Sequence, residues 1–107
     1  MKRCVVGIRR PETPKPVATG RDEPTVWFPS MPTLAAALSE DNRALLRLIH
    51  DQRPPSLTAL AELTGRQVPN LSRTLRMMES YGLVALKKSA REIAPVALAT
   101  SFKILID

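Results

Sequence analysis

The stretch RQVPNLSRTLRM, residues 66 to 77, collects side chains whose chemistry suits the edges of nucleotide bases. An arginine fork fits the two acceptors of guanine, a side-chain amide pairs one donor and one acceptor with adenine, and apolar methyls meet the methyl of thymine. On that basis Gln67, Asn70, Arg73, Thr74 and Met77 are the candidate base readers. Arg66, Ser72 and Arg76 lie at the margins and suit phosphate oxygens, contacts that position a protein without reading sequence. Lys87, Lys88 and Arg91 follow shortly after and would bring positive charge to the sugar-phosphate backbone or the minor groove.

Charge is concentrated in the same region. The chain of 107 residues carries a formal net charge of +6, which favours polyanionic partners. Residues 66 to 91 hold six Arg and Lys against Glu79 alone, so this quarter of the chain supplies +5 of that total.

The elements that must position these groups are legible from periodicity and punctuation. Val68, Leu71, Leu75 and Met78 are spaced 3, 4 and 3 apart, which predicts a helix over about 68–80 with these four as its inward stripe. At about 100° per residue the stripe spans roughly 80° of arc, leaving Pro69, Asn70, Arg73, Thr74, Arg76 and Met77 on the other side. Pro69 suits the first turn of that helix and fixes where it begins. Before it, Ser56 is placed to cap a helix over Leu57 to Thr64, with Gly65 as its left-handed terminator. Earlier still, Ser30 opens a short helix, and Ser39 or Asp41 opens another that carries Leu45, Leu48 and Ile49 and stops before Pro54 and Pro55. After Tyr81-Gly82, the runs LVALKK and REIAPV, with a turn at Ser89 and Ala90, predict a hairpin over about 83–96. The tail SFKILID has the alternation of a strand with one buried face.

Prolines set the N-terminal part apart: eight of the ten precede residue 56, and residues 10–24 read as a loop or flexible segment. CVVGI before it and TVWF after it are strand-like. The expected organisation is a proline-rich arm over residues 1–29 and a DNA-binding domain over residues 30–107. Helix, glycine turn, second helix and basic hairpin occur in the order of a winged helix-turn-helix, in which the first helix braces across the backbone and the second enters the major groove. The fold class expected is therefore α+β, a winged helix-turn-helix with a two- to three-stranded antiparallel wing sheet.

The run SLTALAELTGRQVPNLSRTLRMMESYGLVALKK, Ser56 to Lys88, resembles the winged-helix core of MarR-type transcriptional regulators, where a helix of the LAELTG kind precedes a recognition helix ending in L..ME..GLV and a basic wing follows. A small MarR-like group, including predicted regulators similar to antitoxins, carries an aromatic F.S...L...L segment ahead of the first helix, matched by Phe28, Ser30, Leu34 and Leu38. The resemblance covers roughly residues 25 to 96, without the long flanking helices of the larger MarR-type proteins. It implies a homodimer that reads a two-fold symmetric operator as a repressor or autoregulator, with Asn70, Ser72 and Arg73 at matching recognition-helix positions. The alternative is a winged helix that acts as an interaction module, such as an antitoxin, with the arm and the SFKILID tail holding a toxin or other protein partner.

Several other features have plainer readings. His50 beside Asp51 near a helix end is more often structural or exposed than a proton relay. Cys4, the single cysteine, fits a small apolar role in a strand, and Trp27 and Phe28 fit anchors of the arm or an interface. One cysteine and one histidine cannot assemble a Cys/His metal site, and no nucleophile set or phosphate-cradling glycine loop is present, so neither enzyme activity nor a metal or cofactor is expected. No apolar run approaches the roughly 20 residues of a membrane span and no secretory signal is evident, so the expected location is cytoplasmic, with no membrane partner.

Overall fold

The computed structural model describes residues 4–8, 25–89 and 91–105. The loop expected over residues 10–24 and Ala90 of the expected hairpin turn lie outside them. Among the described residues nine elements follow in order: β1 (Cys4–Ile8), β2 (Val26–Phe28), α1 (Met31–Ala37), α2 (Glu40–Gln52), α3 (Leu57–Thr64), α4 (Val68–Ser80), β3 (Val84–Ser89), β4 (Glu92–Ala97) and β5 (Phe102–Leu105). The fold is mixed α+β, and no helix among the described residues is long and apolar enough to cross a membrane.

Three helices open on serine caps. The hydroxyl of Ser30 accepts from the Thr33 amide at 3.3 Å, that of Ser39 from Asn42 at 3.2 Å, and that of Ser56 from Ala59 at 3.0 Å. Each satisfies one of the amides that a helix start leaves free, a contribution of about 1 kcal/mol. Ser39 rather than Asp41 takes the cap of α2; Glu40 and Asp41 instead fill its first turn, where carboxylates meet the positive end of the helix. α2 ends at Arg53 in the left-handed region, φ 47°, directly before Pro54, which disfavours a further helical residue.

The described strands form two small sheets. β3 and β4 pair antiparallel, from Val84 opposite Ala97 to Ser89 opposite Glu92. The expected third strand of this sheet is not part of it: β5 pairs parallel with β1, Cys4 opposite Phe102, and β1 pairs parallel with β2, Val6 opposite Val26, giving the order β2-β1-β5. Alternation in β5 specifies a half-buried strand but not its partner. Parallel pairing requires a long connection between the strands, and for β1 and β5 the chain from β2 through β4 provides it.

The strand-like fragments of the arm thus contribute to the core. Val6 and Phe28 are fully buried together with Leu46, Leu60, Leu71, Leu75, Met78 and Leu83. Two expected core positions fall outside it. Val68, in the first turn of α4, is 37% exposed, and Ile104, on edge strand β5, is 44% exposed. Cys4 is half-buried, and burial pushes its thiol above the ordinary value while a hydrogen bond with Thr25 acts in the opposite direction.

Candidate nucleic-acid interface

The joint between α3 and α4 is built by short-range chemistry. Gly65 terminates α3 at φ 74°, a region that a side chain disfavours, and its amide donates to the Ala61 carbonyl at 2.8 Å. Thr64 closes the turn from both sides: its hydroxyl donates to the Leu60 carbonyl at 2.9 Å and accepts from the Arg66 amide at 3.2 Å. Gln67 occupies the N-cap of α4 without using its side chain there, so its amide stays exposed at the start of the helix.

At the other end α4 stops in a Schellman turn. The Leu83 amide donates to the Met78 carbonyl at 2.9 Å and the Gly82 amide to Glu79 at 3.0 Å, with Gly82 at φ 77°. Leu83 and Met78, both fully buried, supply the apolar contact that accompanies this motif. The chain enters β3 immediately, so the hairpin is fixed relative to α4 by the last turn of the helix itself.

Leu71, Leu75 and Met78 face the core as expected, while Pro69, Asn70, Arg73 and Arg76 are exposed. Met77 is half-buried and packs against the core, which leaves only part of it on the outer side. Arg73 forms no hydrogen bond or ion pair among the described residues, so its fork of donors is available to an incoming group.

Arg66 is differently placed. Its guanidinium lies back along α4, with Nε donating to Asn70 Oδ1 at 2.9 Å and Nη2 to Thr74 Oγ1 at 3.2 Å. Arg76 makes a weaker contact of the same kind, Nε to Ser72 Oγ at 3.4 Å. The composition and the helix arc marked Arg66, Asn70 and Thr74 as separate contributors; the structure brings them together in one network. Their spacing of four residues was the available signal, obscured because Arg66 precedes the helix and reaches Thr74 only by folding along its axis.

The two lysines of the hairpin diverge. Lys88 stands opposite Ile93 on the face that carries Val84, Leu86, Pro95 and Ala97 toward the helices, whereas Lys87 stands opposite Ala94 on the outer face with Ala85 and Val96. Both are exposed, as is Arg91 in the turn. Strand alternation therefore separates two charges that adjacent numbering had suggested would act together.

An open cleft of about 590 Å³ lies between α2 and the α3–α4 turn. Asp41 lines it together with Arg66 and Asn70, so its charge is mixed rather than cationic. Arg73 and Arg76, exposed on α4, lie outside its lining. His50 Nδ1 and Asp51 Oδ1 form a surface pair at 3.0 Å on a different element, α2.

A family model, HVO_A0114, matches residues 37–104, from the last residue of α1 into β5. No curated protein and no solved structure matches the chain.

Proposed function

The chain belongs to the HVO_A0114 family, and we propose that it binds duplex DNA as a sequence-specific transcriptional regulator. The fold is read as a winged helix-turn-helix, with α3 bracing, α4 in the major groove and the β3–β4 hairpin as a wing on the backbone. The observation that carries this reading is the outer side of α4. An amphipathic helix that presents Asn70, Arg73 and Arg76 to solvent on a rigid two-ended mount is suited to a groove lined with acceptors. Arg73 and Gln67 read bases, Arg76 and Lys88 contact phosphates, and the protein acts on its promoter as a homodimer over a two-fold symmetric site.

The test is titration of a mixed-sequence duplex at increasing salt by the full chain. Binding that weakens linearly in log affinity against log salt supports a phosphate-contacting surface. Absence of binding at low salt overturns it.

A second reading is favoured by exposed apolar residues away from α4. Val96, Leu98 and Ile104, on β4, just after it and on β5, are 36%, 48% and 44% exposed. They suit contact with another protein, either a second copy or a partner such as a toxin. Co-purification of a stoichiometric neighbouring protein, together with loss of that complex in Ile104→Lys, would favour an interaction module.

A further inference from the structure

We infer that Arg66 sets the base preference of α4, turning its reading side into a donor surface that selects guanine where a free Asn70 would select adenine. The inference rests on the duplex-reading function proposed above and specifies what that surface reads.

A guanidinium donates and never accepts. Its contact at 2.9 Å therefore fixes the Asn70 amide with Oδ1 toward Arg66 and Nδ2 turned away. Pairing an asparagine with adenine in the major groove uses both ends of the amide: the oxygen accepts from N6 and the nitrogen donates to N7. With Arg66 in place, an adenine amino group approaching the second lone pair of Oδ1 comes up against a positive charge. A guanine edge meets the opposite situation, because its N7 and O6 both accept, and the Nδ2 that Arg66 leaves unengaged supplies a donor beside an attractive cation. Thr74 is biased the same way: its oxygen accepts from Arg66 Nη2 at 3.2 Å, so its hydroxyl proton points elsewhere. Arg73, with donors only, extends the same character along the helix. Arg66 thus acts as a positioning residue, whose effect on specificity passes through Asn70 and Thr74.

The experiment is selection from a fully randomised duplex library by the full chain, in parallel for wild type, Arg66→Lys and Asn70→Asp. Arg66→Lys keeps the charge and the backbone contact to Thr64 but cannot fork across Asn70 and Thr74. Asn70→Asp keeps an acceptor for Arg66 and removes the unengaged donor. Thermal melts establish that each variant is folded. The expected result is a wild-type motif with guanine at a position whose preference is lost in Asn70→Asp and moves toward adenine by roughly tenfold in Arg66→Lys. The inference is overturned if wild type selects adenine there, or if Arg66→Lys changes affinity equally for all sequences and leaves the motif unchanged. If wild type enriches no motif at all, the DNA-reading function fails, and the inference fails with it.

Discussion

The ring of Phe28 lies 4.4 Å from that of Tyr81, centroid to centroid, with the planes tilted by 35°. This contact joins β2 to the residue that caps the C-terminus of α4, and Phe28 is fully buried. The strand ahead of the helices therefore braces the far end of the proposed reading helix. Truncation of Phe28 to alanine should cost about 3–5 kcal/mol through lost burial and the cavity left behind. Urea unfolding followed by circular dichroism checks this; a loss below about 1 kcal/mol would show that the strand does not brace the helix.

Gly65 sets the angle between α3 and α4 through a backbone conformation, φ 74°, and a Cβ added there would meet nothing within 4 Å. Any penalty for Gly65→Ala is thus conformational strain and not a clash. It should be about 1–2 kcal/mol, and Gly65→Asn should lose less because asparagine tolerates the left-handed region. Thermal melts of the two variants give the order directly.

The half-buried Cys4 should label slowly with iodoacetamide at neutral pH, since burial favours the neutral thiol and the thiolate is the nucleophile. The sign of the linked stability follows from the same shift. The unfolded chain ionises first, near the ordinary value of 9.0, so the thiol lowers stability as pH rises above that value, whereas below it both states are protonated. Cys4→Ala should flatten the decline of stability between pH 8 and about 10; an unchanged slope would show that the thiol does not contribute to it.

Arg73 and Lys88 should fail in different ways. Arg73→Ala should weaken binding to the preferred duplex by about 1–3 kcal/mol and relax base preference, while Lys88→Ala should weaken all duplexes alike and reduce the salt slope by about 1. Lys87→Ala should have the smaller effect of the two lysine variants, because Lys87 lies on the face of the hairpin turned away from the helices. Binding isotherms at several salt concentrations separate these outcomes.

Local signals made the helical part of the fold legible. Ser56, Gly65 and Tyr81-Gly82 mark caps that chemistry enforces within a few residues, and α3 begins and ends, and α4 ends, where those residues place them. The three-stranded sheet was not legible, because pairing of Cys4 with Phe102 joins nearly opposite ends of the chain and alternation carries no information about partners. The exposure of Val68 was also hidden. A stripe drawn on an ideal helix fixes direction around the axis but not how much of the first turn its neighbours cover. At the candidate site, residue types and the arc were readable, but the Arg66–Asn70–Thr74 network depends on the path of a long side chain across a turn.

The most direct test of the central claim is fluorescence anisotropy of a duplex from the protein's own upstream region against a scrambled duplex, at two salt concentrations, with Arg73→Ala as the control. The account predicts tighter binding to the native duplex, weakened by salt, with the preference lost in the variant. No binding to either duplex at low salt would contradict it and assign the exposed side of α4 to something other than DNA.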